Sequence, residues 1–313
     1  MSTETVAVSI ATDENGYMGR ECPVQACLGY FKITPGTGLK GKRLPCHCPY
    51  CGHTQGHDHF HTREQIEYAK SVAFRQFSDR LTNELKKLEF DHKPRGMFGI
   101  GISMKVDPGQ RPPIHHYRER QLETEVVCSS CTLRYAVYGV FAFCPDCGQH
   151  NSLQILDANL VIVGKLLDLA EAADRELANK LVENALEDCV SAFDGFGREL
   201  CRVYMAQNPT ARLDRWTFQS LDAVRSNIQD LAGADLSALV PSSDWNAAVI
   251  GFQKRHLVAH KMGVVDQAYI TKTGDTRYAV GRKVDISATE VRDLTRIIEV
   301  LADHIAKAVL PPP

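Results

Sequence analysis

Residues 242–263 read SSDWNAAVIGFQKRHLVAHKMG, and the fold and the chemistry of the chain both turn on this stretch. Ser242 or Ser243 is expected to cap the unpaired first-turn amides, and Trp245, Val249, Phe252 and Leu257 recur near helical spacing. Gly263 is expected to end the helix. The pattern is that of a buried helix, yet its last turns carry Lys254, Arg255, His256, His260 and Lys261. At about 100° per residue, His256 and His260 fall within about 40° of one another, with Arg255 one step to the side. One phosphate could be reached by all three. Imidazole takes or gives a proton near neutrality, and guanidinium grips phosphate oxygens with paired donors. The rival reading of the two histidines is a helical metal pair, but no Glu follows His256 as in H-E-x-x-H zinc helices.

The run Arg255-His256-Leu257-Val258-Ala259-His260, followed by Gly263, Asp266 and Tyr269, resembles the Arg-polar-x3-His signature of HEPN domains, all-α modules of many prokaryotic ribonucleases, toxins and antiviral effectors. The resemblance covers about residues 154–310. It implies a metal-independent endoribonuclease that works as a homodimer, with the Arg and His of two chains facing one cleft. Carried over, Arg255 would hold the scissile phosphate, His260 would be the general acid/base, and His256 would fill the polar position as a helper. Many family members carry Asn or Asp at that position. The resemblance also implies a toxin or antiviral-defence setting, and an alternative in which the module binds RNA or nucleotides without cutting.

The chain has 313 residues, 44% of them hydrophobic, enough for several cores. Formal charge is -2, so no global field draws it to nucleic acid, and any RNA contact must be locally cationic. The first residues lack a basic region before an apolar core, and no apolar run approaches the roughly 20 residues of a bilayer span. The reading is a cytoplasmic protein. Eleven cysteines fall mostly in close pairs, which without an export signal favours metal over disulfides.

From the N-terminus, the alternating Val6, Val8 and Ile10 predict a strand, and residues 30–34 another. Cys22, Cys27, Cys48 and Cys51 are expected to form a first tetrahedral zinc site, the C-P-x-C-G run 48–52 being a recurrent knuckle. Cys46, His47 and His53 compete for that site. Thr62 with Gln65 reads as a capping box for a long helix ending near Phe90, with Ile66, Ala73, Phe77, Leu81, Leu85 and Leu88 on one stripe, a core or an interface. Residues 94–127 turn to Gly, Pro and short β-prone runs; Gly96, Gly99 and Gly101 lack the features of a phosphate loop. The basic, aromatic run His115 to Arg120 is a weaker candidate for touching RNA.

Cys128-x2-Cys131 and Cys144-x2-Cys147, twelve residues apart, predict a zinc ribbon whose two knuckles are joined by a hairpin. Four thiolates leave no coordination site open to water, so both zinc ions are expected to be structural. After residue 151 the pattern is helical: residues 155–169, then 175–206 with a break or bend near Gly195 and Gly197, then 214–231. Cys189 and Cys201 read as core thiols. Residues 269–284 suggest a hairpin turning at Thr273-Gly274-Asp275, and Ser287 with Glu290 a capping box for a last helix.

The expected class is α+β: a first zinc-ribbon module over 1–61, a long helix with a short β segment over 62–127, a second zinc ribbon over 128–152 and an all-α HEPN-like bundle over 153–313. RNA is favoured over DNA because its 2′-hydroxyl supplies the nucleophile, so an imidazole base, an acid and a cation suffice. DNA hydrolysis asks for metal held by clustered carboxylates, and none is apparent near Arg255. A metal-dependent hydrolase built on His256 and His260 is the remaining rival.

Overall fold

The computed structural model describes residues 6–41, 44–92, 102–122 and 124–310. The chain is mixed α+β and divides into two compact units, residues 1–139 with 144–147, and residues 140–143 with 148–313. Gly96, Gly99 and Gly101 lie outside the described residues. Among the described residues no helix is long and apolar enough to cross a membrane.

The first unit holds strands β1 (Met18–Glu21), β2 (Tyr30–Ile33), β3 (Pro45–His47) and β4 (Thr54–Gly56), helix α1 (Arg63–Lys86), and strands β5 (Phe90–His92), β6 (Ile102–Met104), β7 (Thr124–Val127) and β8 (Arg134–Val137). Residues 6–10 form no strand. The period-2 signal survives as alternating half-buried and exposed side chains, without a ladder. The main sheet is antiparallel in the order β1-β2-β8-β7, with Lys32 opposite Ala136 and Val126 opposite Tyr135. The hairpin of the second cysteine module is formed by β7 and β8, which flank its first knuckle, rather than by two strands between the knuckles. Phe31 and Phe60 meet edge to face at 5.9 Å in the centre of this unit. The Thr62 capping box is present, and buried Gln65 reaches beyond it, donating from Nε2 to Gly19 O at 2.8 Å and to Glu119 Oε1 at 3.1 Å. One glutamine thus ends the orphaned amides of α1 and ties the helix start to β1.

The second unit is helical: α2 (Ser152–Glu171), α3 (Arg175–Gln207), α4 (Leu221–Ala232), α5 (Ser242–Lys261), α6 (Gln267–Thr273) and α7 (Ala288–Val309). Its core is centred on Phe193, whose ring lies 5.8 Å from that of Phe218 and 6.0 Å from that of Phe252. Cys189 and Cys201 are buried in α3. The Ser287–Glu290 capping box opens α7. Three sequence expectations are corrected. α3 runs unbroken through Gly195 and Gly197, because Gly197 is there to let the Phe218 ring lie against the helix backbone, a Cβ at 197 falling 2.1 Å from that ring. The third helix begins at Leu221 instead of Asp214, since Phe218 N and Thr217 Oγ1 are turned toward the Asp194 carboxylate at 2.7 and 3.3 Å. Residues 267–273 are helical and not a hairpin strand, with Asp266 capping Tyr269 N and Gly274 closing the helix at φ 62°.

The two glycines of α3 differ in a measurable way. Gly197→Ala forces a methyl into the Phe218 ring and is expected to cost about 1–3 kcal/mol. Gly195 is exposed with open space around its missing Cβ, so Gly195→Ala is expected to stabilise by about 0.5–1 kcal/mol. Urea denaturation of the two variants checks the opposite signs.

Candidate functional site

α5 presents two chemically different sides. Trp245, Ala248, Phe252 and Leu257 face the core, and with them goes Lys254, 1% exposed. Its Nζ donates to Asp285 O at 2.5 Å and to both Glu290 oxygens at 2.9 Å, so this cation is spent inside the fold. Glu290 also accepts from Arg277, whose guanidinium grips Asp275, and Tyr269 OH donates to Asp275 at 2.7 Å. The Arg277 guanidinium, against the opposing effect of burial, holds the Asp275 carboxyl well below the usual range. This chain of ions fixes residues 275–290 against α5. The N-cap of α5 is Pro241, without a side-chain cap bond, instead of Ser242 or Ser243. At the other end Met262 takes the left-handed conformation at φ 52°, followed by Gly263 at φ 77°, whose N–H donates to Leu257 O at 2.9 Å.

The outer side carries Arg255, His256 and His260. The two imidazoles are exposed, with ring centroids 4.9 Å apart and planes tilted by 56°. Arg255 is half-buried; its Nη1 donates to Gln219 Oε1 at 3.0 Å, while its Nε is buried without a hydrogen-bond partner. Gln219 in turn donates from Nε2 to Asp194 Oδ2 at 3.1 Å, and Asp194 also takes Arg198 Nε at 2.9 Å. Burial opposes ionisation of Asp194, but the bonds from Arg198, Phe218 N and Gln219 outweigh it and keep its carboxyl below the ordinary range. Partial burial, then the neighbouring His260, Lys261 and Lys272, lower the pKa of His256 and favour its neutral form near pH 7. Lys261 is ion-paired with Asp266, and Tyr269 is buried, so the later residues of the motif shape the loop instead of lining the site.

The sequence pointed to Arg255, His256 and His260; the structure sets the two imidazoles side by side on the exposed part of α5 and turns Arg255, about 100° around the helix from His256, toward Gln219. Gln219 and Asp194 were missed. Asp194 carried a signal, an acid set between Phe193 and Phe196 in an apolar stripe, where only a buried bonded carboxylate belongs. Gln219 carried none. Among the described residues no third His, Cys, Asp or Glu ligand atom lies with His256 and His260 as a metal group would require.

Two groups in the first unit could hold metal ions: Cys22, Cys27, Cys48 and Cys51, and Cys128, Cys131, Cys144 and Cys147. Sulfur separations of 3.7 Å for Cys22–Cys51, Cys27–Cys48 and Cys128–Cys147, and 3.4 Å for Cys131–Cys144, are far too long for disulfides. They suit a tetrahedron, whose edge is about 3.8 Å for a metal–sulfur bond of about 2.3 Å. The residue after the second cysteine of each pair is left-handed: Leu28, Gly52, Thr132 and Gly148 at φ 45°, 71°, 65° and 70°. That turn is the local device that folds a knuckle around an ion, and two of the four positions are not glycine. Cys46 is buried in β3 outside the first group, His47 Nδ1 is bonded to Thr54 Oγ1 and His53 Nε2 to Gln55 Oε1.

The chain matches no protein-family model, and no curated protein or solved structure is significantly similar to it.

Native mass spectrometry of the full chain is expected to count two metal ions. Cys46→Ser should retain both, whereas Cys51→Ser or Cys147→Ser should retain one; loss of an ion from Cys46→Ser would move Cys46 into the first ligand set.

Proposed function

We propose that the protein is a metal-independent endoribonuclease of the HEPN type, working as a homodimer, with Arg255, His256 and His260 as its reacting groups and two structural Zn²⁺ ions in the cysteine groups. The observation that carries this reading is the pair of exposed imidazoles with ring centroids 4.9 Å apart on α5, with the Arg255 guanidinium held by Gln219 on the adjoining side of the same helix. Arg255 is held by Gln219, which Asp194 holds in turn, so its guanidinium is fixed in orientation on α5.

The neighbouring His260 is one of the groups that disfavour the charged form of His256. A ribose 2′-hydroxyl attacks phosphorus and its proton passes to a neutral imidazole; the P–O5′ bond breaks as an imidazolium protonates the leaving oxygen. The products are a 2′,3′-cyclic phosphate and a 5′-hydroxyl. In-line displacement sets the attacking and leaving oxygens on opposite sides of phosphorus, and two rings from one helix approach from the same side. The two-fold pairing that the HEPN resemblance implies supplies the opposite set. His260 then acts as general acid/base, Arg255 neutralises the phosphate, and His256, already biased to the neutral form, assists the proton transfer. All-cysteine zinc sites leave no position for a reacting water, so the first unit serves as a sensing, docking or RNA-selecting part.

Without added divalent cations, the purified chain is expected to shorten mixed RNA to fragments with cyclic phosphate and 5′-hydroxyl ends. Arg255→Ala and His260→Ala should each slow this by about 10²–10⁴-fold with the helical circular dichroism unchanged. RNA that shifts in a gel but stays full length would instead mark a binding adaptor. The pH profile supplies a second check. Lys272 is one of the cations that depress the His256 pKa, so Lys272→Met raises it, His256 stays protonated to higher pH, and the acid limb of kcat/KM moves upward.

A further inference from the structure

α1 is a 24-residue helix with one bare apolar side. Ile66, Phe74, Phe77, Leu81, Leu85 and Leu88 are each between 40% and 61% exposed. The stripe is about 33 Å long at 1.5 Å per residue. Its area is on the order of several hundred Å², the size at which a patch on a monomer marks an interaction site. The opposite side of the same helix is covered. Ser71 Oγ accepts from His115 N at 3.0 Å, Arg75 Nε donates to Pro112 O at 2.8 Å, Asp79 pairs with Arg111 at 3.3 Å, and Tyr68 meets Tyr117 edge to face. These positions lie about 150° around the helix from the bare stripe. Among the described residues, the segment that packs on α1 thus leaves its most apolar side open.

The order of residues along that side says what fits it. Reversed end for end about Phe77, most of the stripe returns onto itself: Ile66 exchanges with Leu88, Ala69 with Leu85 and Ala73 with Leu81, whereas Phe74 falls opposite Arg80. The charges beside it reverse with opposite sign. Glu67 and Lys70 pair at 2.9 Å near one end, Glu84 and Lys87 pair at 2.5 Å near the other, and the reversal sets Lys70 level with Glu84. A helix whose apolar seam at 66, 69, 73, 77, 81, 85 and 88 is its own reverse, with complementary charges at mirrored positions, fits a self-complementary antiparallel contact. The mean repeat of about 3.7 residues along the seam lets two such helices run side by side with a shallow right-handed supercoil. Mixed charges at both ends, instead of a basic belt, do not suit an anionic lipid surface.

We propose that α1 is a self-association surface: two copies of this chain pair their α1 helices antiparallel, with the two-fold axis at Phe77 and Lys70 of each copy beside Glu84 of the other. This contact is distinct from the pairing at α5 that the ribonuclease reading invokes, and its test measures what substitutions on α1 do to self-association.

Sedimentation equilibrium of the full chain is expected to show self-association that Phe77→Glu, which sets two carboxylates face to face on the axis, weakens by about tenfold or more. Lys70→Glu and Glu84→Lys should each weaken self-association by about tenfold or more, since like charges then meet twice across the axis. An equimolar mixture of those two variants should recover the dimer to within about threefold of wild type, because each supplies the charge that the other lacks. Three outcomes overturn the proposal: a wild type that remains monomeric at micromolar concentration, an assembly whose mass and association constant Phe77→Glu leaves unchanged, or a mixture that associates no better than its components.

Discussion

Lys254 spends all of its hydrogen-bonding capacity inside the second unit, on Asp285 O and the Glu290 carboxylate. An ammonium taken out of water costs several kcal/mol unless it is paired and fully bonded, so this group admits one rotation of α5 about its axis and penalises every other. With Lys254 pointing inward, the next residue is turned by about 100° and His256 and His260 by about 200° and 240°. The exposure of His256 and His260 is therefore the geometric counterpart of the burial of Lys254. Because Glu290 is also the capping-box residue of α7, the same carboxylate sets where α7 starts and how α5 is rolled.

On the outer side a second polar relay runs from α3 through Gln219 to Arg255. Asp194 draws Phe218 N, Gln219 and Arg198 toward itself, and the ring of Phe218 closes on Gly197. Core packing and orientation of the guanidinium are consequently one construction: the turn that lets Phe218 into the core also delivers Gln219 to Arg255.

Much of this was readable from the residues because the signals are local. Capping boxes at Thr62–Gln65 and Ser287–Glu290 need three residues and appear as expected. The paired cysteines announce two groups, and the structure gathers Cys22 with Cys27, Cys48 and Cys51, and Cys128 with Cys131, Cys144 and Cys147. What the sequence concealed depends on partners distant in the chain. Lys254 looked like one of a row of surface cations, and its acceptors lie more than thirty residues later. Residues 269–273 have the β-prone look of a strand, yet the Asp266 cap and the bond from Tyr269 to Asp275 make a helix the better solution. Val6, Val8 and Ile10 alternate as a strand should, but a strand is defined by a neighbour, and no ladder meets them.

The pairing of β2 with β8 joins Lys32 to Ala136, about a hundred residues further along. A ribosome releases the chain at about 5–20 residues per second, so β2 waits several seconds with one edge open before its neighbour exists. The knuckles at 22–27 and 48–51 are complete long before that. An ion captured there early would hold the unfinished β1–β2 hairpin in register while its outer edge is still exposed, giving the cysteines nearest the N-terminus a part to play in biogenesis before they have any in the mature protein.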